Sequence, residues 1–381
     1  MLPNSGTIPK IPTFERFYFL SWKICANLQC NRIGRNMLVI NTIKMKTQLL
    51  RLIFLLVGPG IFAQEAVNTF VEQGIQYHDQ GEYDKAIETY QKALELVPQS
   101  ALVNYELALS HFAKGDYEKV IAYSDVVLDQ NGDHMLQAYL TKGSALDVMG
   151  KTKESIKLFE KAIKKTEGHY LLHYNLAVNY YKLNELEKAE EMVIRAIERN
   201  RNHPSSHLML ANIHHQRGNT VQTLLASHYF LFLEPDTPRA VEAYHMLQQN
   251  FGGNVSRDSE KPNTINILLS PNNDSQFGAA ELMVSMLEAS RGLEENQGKT
   301  EDEMFIKNTD SFFTVLGELK RKKDKEIWWT FYTTFFYELA KSDHMEAYCH
   351  YIAQGSKENS KKWLIENGAK LMEFDGWLKE L

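Results

Sequence analysis

The run FVEQGIQYHDQGEYDKAIETYQKALELVP, from Phe70 to Pro98, sets Phe70, Gly74, Tyr77, Gly81, Tyr83, Ala86, Tyr90, Ala93 and Pro98 at successive spacings of 4, 3, 4, 2, 3, 4, 3 and 5. Such spacing has a physical cause. Two antiparallel helices approach closely only where small residues meet at their crossing, here Gly74 and Ala86, with aromatic rings filling the space beside them. Gly81 allows a tight turn between the helices, and Pro98 stops the second from continuing.

Moving outward, a second copy follows 34 residues later as ALVNYELALSHFAKGDYEKVIAYSDVVLDQNG, carrying Leu107, Ala108, His111, Gly115, Tyr117 and Val120. A third, one residue further spaced, is carried by Tyr139, Gly143, Gly150, Phe159 and Ala162. Leu176, Ala177, Tyr180, Ala189 and Ala196 mark a fourth; Leu210, Ala211, His214, Gly218, Phe230 and Pro235 mark a fifth. The fifth departs furthest, with Thr223 where Ala86 stood and Ser227 where Tyr90 stood. These residues resemble the tetratricopeptide repeat (TPR) family. The repeats fall at 67–100, 101–134, 136–169, 170–203 and 204–237, together Val67 to Asp236. A single repeat cannot bury its own apolar face, so neighbours must stack. The expected fold class is therefore all-α; the resemblance implies a right-handed α-solenoid whose concave side is lined by the first helix of each pair. Residues 238–251 (PRAVEAYHMLQQNF) read as a helix capping the open end.

The resemblance also assigns repeat positions 2, 5, 9, 12 and 13 to the concave groove. That places Tyr105, Leu109 and Phe112 of the second repeat and Tyr174, Val178 and Tyr181 of the fourth on a partner-binding surface. Aromatic anchors on rigid helices bring large contact area at little entropy cost. The competing reading packs these rings among neighbouring repeats. One subset of the family grips chaperone C-terminal carboxylates with Lys and Asn; Val71 and Ile75 occupy the corresponding first-repeat positions and cannot do so.

His169 with His173 and His203 with His207 have the i, i+4 spacing of metal-ligand pairs on one helix face. Yet His173 and His207 fall at the bulky position of the motif, and His111 and His214 replace its tyrosine, so ring-filling is the simpler reading and no metal is expected. No phosphate loop, GxSxG, HExxH or paired CxxC occurs. No catalysis and no cofactor are expected; an enzyme site beyond residue 263 is the alternative.

Residues 1–64 hold eight basic residues and one acid. Removing them from the chain's 42 basic and 48 acidic residues leaves 34 and 47, a formal charge of −13. Such a body should repel nucleic acid and anionic lipid; Lys320 to Lys325 (KRKKDK) is the only candidate for a local basic patch, and reads as a solvated helix end. Met45 to Gln64 has basic residues, the apolar Leu49 to Val57 and then Gly58-Pro59-Gly60, the layout of a signal peptide. Residues 1–44 then read as an upstream extension or a mis-assigned start. Cys349 alone would remain after removal of the signal, so no internal disulfide is expected.

Residues 252–275 read as a linker containing a short β-favouring run, Thr264 to Ser270, too isolated for a sheet of its own, and residues 276–381 as a helical region expected to pack as a bundle of its own, with further degenerate hairpins extending the solenoid as the alternative. Its helices are expected at Gln276 to Ser290, Asp302 to Lys320, Glu326 to Ala340, Met345 to Gln354 and Glu358 to Met372. The third, with Trp328, Trp329, Phe331, Tyr332, Phe335, Phe336 and Tyr337, is apolar nearly all round and should be buried. The reading that results is an exported scaffold for a protein or peptide partner, in a bacterial periplasm or at the cell envelope, with no stable membrane span; a cytosolic adaptor is the alternative if the apolar stretch is not a signal.

Overall fold

The computed structural model of the protein describes residues 64–252, 255–257, 265–267, 276–293 and 296–381. The upstream extension lies outside these residues, as does the signal segment apart from Gln64. Five helix hairpins follow one another. They pair residues 64–79 (α1) with Tyr83–Leu96 (α2), Ala101–Lys114 (α3) with Tyr117–Gln130 (α4), and Met135–Val148 (α5) with Thr152–Lys165 (α6). Tyr170–Lys182 (α7) then pairs with Leu186–Arg199 (α8), and Pro204–Gln216 (α9) with Thr220–Leu233 (α10). From α2 onward each of these helices packs on the next, and first helices of successive hairpins also touch from α3 to α9. The arrangement is an all-α solenoid.

The turn within each hairpin needs a left-handed residue. Gly81, Gly115, Gly150 and Gly218 supply it with φ between 72° and 82°, and Asn184 fills the place in the fourth hairpin at φ 58°. Asparagine is among the few side chains that tolerate this region. The crossing within each hairpin follows a second rule. A Cβ on Gly74 would lie 2.3 Å from the Tyr90 ring and one on Gly143 2.2 Å from Phe159, so glycine is what admits the ring. The other three hairpins carry Ala108, Ala177 and Ala211 there, and Ser124, Val193 and Ser227 stand 16 residues on, where the rings stood; all six are buried. Ser227 is thus the small complement of an alanine.

Ala86, Ala93, Ala162 and Ala189 are fully buried, as packed crossings require. Tyr77 is part-buried beneath the Lys85 ammonium, 5.6 Å from its ring centroid. Pro98 and Pro235 follow the ends of α2 and α10.

After α10, Pro238–Gly252 forms α11. The linker then contains a two-stranded antiparallel sheet, Val255–Arg257 (β1) with Ile265–Ile267 (β2), in the register Val255 to Ile267. The β-favouring run expected to be too isolated for a sheet finds its partner inside the linker. Gly278–Ala289 (α12) and Glu301–Leu319 (α13) come next, the latter opened by a capping box in which Thr300 and Glu303 satisfy each other's backbone N–H. Trp328–Thr333 forms a π-helical segment that continues into Thr334–Ala340 (α14). Met345–Ala353 is α15. The last expected helix is broken into Glu358–Glu366 (α16) and Gly368–Glu380 (α17). At the break the Asn367 side chain donates to the Trp363 carbonyl at 2.9 Å, competing with the helix ladder just before a glycine.

These helices do not form a bundle of their own. One hydrophobic core runs from Tyr139 to Phe374, joining hairpins three to five with the C-terminal helices. Its centre is α10, buried at every position from Thr220 to Leu231 because α9, α11, α12, the π-helical segment and α15 all pack on it. The capping helix α11 is itself covered by α12, so it does not end the core.

Candidate functional site

The groove residues lie on two first helices separated by α5. Tyr105, Leu109 and Phe112 are on α3, and Tyr174, Val178 and Tyr181 on α7; all six are part-buried. Each ring is backed by a neighbour. Tyr105 stacks on His134 with centroids 5.5 Å apart, and Phe112 meets the Tyr117 ring edge-on at 5.4 Å. Tyr174 meets His203 edge-on at 4.9 Å. Tyr181 is part-buried against the main core. Between the trios, α5 offers Leu140, Ser144 and the exposed Val148.

A pattern the sequence reading missed organises this edge. His134, His169 and His203 each stand immediately before a first helix, α5, α7 and α9, at spacings of 35 and 34 residues. His169 accepts from the Leu171 N–H through Nδ1 at 3.3 Å, capping α7 with its ring. His203 Nδ1 and the Ser206 hydroxyl are 2.8 Å apart. The repeat period was the available signal, because the residue 29 places after groove position 5 is a histidine in three consecutive repeats. Ion pairs tie the groove lips together, Lys114 with Asp84 and Lys182 with Asp147, the latter also accepting from the Thr152 hydroxyl at 2.9 Å.

His111, His214, His207 and His173 are buried in the hairpins. His111 pairs with Asp116 at 3.1 Å, and His214 Nδ1 lies 3.0 Å from the Asn219 amide; each partner precedes the second helix of its hairpin. His207 is buried, with Nε2 2.8 Å from the Arg201 carbonyl and Nδ1 2.6 Å from the Tyr332 hydroxyl. Burial lowers its pKa to about 3, so it is neutral, donating to the carbonyl and accepting from the tyrosine. His173, its equivalent one repeat earlier, is held near 4 by burial and by Arg199 and Arg195. Among the described residues no group of three or more His, Cys, Asp or Glu side chains is placed to hold a metal ion.

His207 also marks a seam that sequence reasoning did not find. His228 on α10 is fully buried, with Nδ1 3.0 Å from the Tyr348 hydroxyl and with Phe313 and Phe336 beside its ring. The Arg201 guanidinium lies over Phe331 at 4.9 Å, and Trp328 meets His214 edge-on at 4.8 Å. Gly355 donates its N–H to the Pro235 carbonyl at 3.2 Å. The fifth hairpin is therefore closed on its outer side by the C-terminal helices, while the rings on α3 and α7 stay part-exposed. Among the described residues no helix is long and apolar enough to cross a membrane.

Comparison with known proteins falls on the same hairpins. TPR family models match residues 74–115 and, as "Tetratricopeptide repeat", residues 149–219. A TPR repeat-containing protein of Methanocaldococcus jannaschii is 24% identical over 135 residues, which is 35% of this chain and 24% of that protein, so the match spans about a quarter of the relative's length. Among solved structures, a thermophilic TPR protein of Thermus thermophilus is 19% identical, with a TM-score of 0.41 over 48% of this chain and 100% of that one. PilF of Pseudomonas aeruginosa is 19% identical at a TM-score of 0.43, covering 50% of this chain and 90% of that one. With the repeat spacing, the glycine turns and both family matches lying on one set of stacked hairpins, the hairpins from α1 to α10 are tetratricopeptide repeats.

Proposed function

We propose that this protein is an exported, non-catalytic scaffold that holds a segment of a partner protein in the groove lined by Tyr105, Leu109, Phe112, Tyr174, Val178 and Tyr181. The observation that carries the reading is the support behind the rings. Tyr105 stacks on His134 and Tyr174 meets His203 edge-on, so each part-buried ring is held at a fixed orientation. A partner then docks against them with little loss of side-chain entropy. First helices spaced about 10 Å apart put the two trios roughly 20 Å from each other, a span that an extended segment of about six residues covers. Export rests on the segment from Met45 to Gln64, and the absence of catalysis on the scaffold character of the repeats.

Two experiments test this. Cross-linked capture with the full chain, followed by mass spectrometry, is repeated with Tyr105→Ala and Tyr181→Ala. Loss of a central aromatic anchor is expected to weaken capture roughly five- to tenfold or more; an unchanged captured set with both rings removed ends the groove reading. N-terminal sequencing of the secreted protein is expected to begin near Gln64 or Glu65, and an intact Met1 ends the export reading.

A further inference from the structure

The outward face of α12 carries no charge. Ala279, Leu282, Met283 and Met286 follow one another at i, i+3, i+4 and i+7, with Leu282 42% and Met286 58% exposed, while Ala280, Glu281, Val284 and Ser285 face inward. A helix on the surface of a water-soluble body ordinarily places polar residues on this side. At the N-terminal end of the same helix lies the basic loop 320–325. Phe277 stacks on Trp329 with centroids 4.8 Å apart. Gln276 accepts from the Trp329 indole N–H at 2.6 Å and donates to Glu326 at 2.8 Å. At 1.5 Å per residue, Leu282 and Met286 stand about 6 and 12 Å along the helix from that junction.

The single acid of the loop is already engaged. The Asp324 carboxylate accepts from the Arg321 backbone N–H at 2.9 Å and pairs with its guanidinium at 3.3 Å, its side chain only 7% exposed. Lys322, Lys323 and Lys325 are exposed and make no ion pair with a described residue. On a body whose formal charge beyond Gln64 is −13, this is a local reversal of sign beside an apolar stripe.

We propose that the outward face of α12 and the lysines of the 320–325 loop form a docking surface for an anionic lipid bilayer. The stripe lies at the boundary of headgroups and acyl chains and the lysines face the lipid phosphates, the division of labour of interfacial amphipathic segments. A nucleic acid would use the cations and leave the stripe in water. The groove on α3 and α7 is built from other helices, so a docked protein keeps its partner surface.

Co-sedimentation of the full chain with vesicles of phosphatidylcholine alone, or of phosphatidylcholine with phosphatidylglycerol, tests the proposal at about 0.1 M salt. Binding is expected only to the anionic vesicles. Reversal of Lys322, Lys323 and Lys325 to Glu is expected to weaken it at least about a hundredfold, since each lysine contributes roughly fivefold near such a surface. Leu282→Ser with Met286→Ser is expected to weaken binding with the cations intact, and Tyr105→Ala to leave it unchanged. All variants are compared by circular dichroism melts, the substituted side chains being exposed. Failure to bind anionic vesicles, equal binding to phosphatidylcholine, insensitivity to either set of changes, or equally tight, lysine-dependent binding of a single-stranded RNA overturns the proposal.

Discussion

The two ends of the repeat array answer the same problem in opposite ways. The first hairpin carries the fullest motif, and its buried core is small: Val67, Val71, Ala86, Ile87, Tyr90 and Ala93, with Val103 and Leu107 of the next helix. The fifth departs furthest from the motif, yet its second helix lies at the centre of the largest core among the described residues. Motif fidelity here tracks how far a hairpin must bury itself. Where other elements supply the packing, the motif relaxes, and the replacements serve the new neighbours: His228 in α10 meets Tyr348 and Phe336.

The contrast breaks most sharply if the C-terminal helices are loosened. Phe336 is fully buried, stacked on Phe313 at 4.3 Å and beside His228. Phe336→Ala is expected to cost about 3–5 kcal/mol and to release α10 and the C-terminal helices together in native-state hydrogen exchange, with α2 less affected. Uniform loss of protection along the chain would show instead that both ends belong to one cooperative unit.

Acid should produce a milder version of the same asymmetry. Burial pushes the pKa of His207 and His228 down to about 3, while an unfolded histidine titrates near 6.5. Between those values the unfolded chain binds more protons. The contribution is therefore complete above pH 6.5 and is lost as pH falls toward 3, by about 1.4 kcal/mol per pH unit for each histidine. Denaturant melts at pH 7 and pH 5.5 should differ by roughly 2–3 kcal/mol from these two groups. Hydrogen exchange at pH 5.5, corrected for its intrinsic rate, should locate the loss in α10 before α2; a change confined to the first hairpin would contradict the assignment.

The smallest expected effect sharpens the packing rule within hairpins. Gly143→Ala drives a methyl into Phe159 and is expected to cost about 1–3 kcal/mol. Adding Phe159→Val, which reproduces the Ala177 and Val193 pair of the fourth hairpin, is expected to restore part of that loss. A double variant no better than the single would mean that the two positions are not matched.

How much of this was legible depended on whether a contact belonged to a pattern that recurs along the sequence. The five hairpins were readable because Gly74, Gly81, Ala86 and Tyr90 meet within one 34-residue unit and recur. The pairing of β1 with β2 and the break at Asn367 were not, since each turns on local hydrogen bonds that short β-favouring or helical runs leave undetermined. Least legible was the seam. His207 and Tyr332 are 125 residues apart, and His228 and Tyr348 are 120 apart. One clue was present: TVQTLLASHYFLFL is apolar on nearly every side, as a helix buried all round should be. For the groove, the register placed the rings on α3 and α7, but not the histidine standing behind Tyr105 and Tyr174.

The pairing of glycine with an aromatic ring in the first and third hairpins, and of alanine with a small or β-branched side chain in the others, sets where such a chain can be cut and rejoined. Exchanging only the first helix between hairpins three and four would bring Ala177 against Phe159 and Gly143 against Val193, a collision in one product and a void in the other. A whole hairpin moved as a unit carries both halves of its own match. Shuffling this array is therefore tolerated at the joints between hairpins and penalised at the turns inside them.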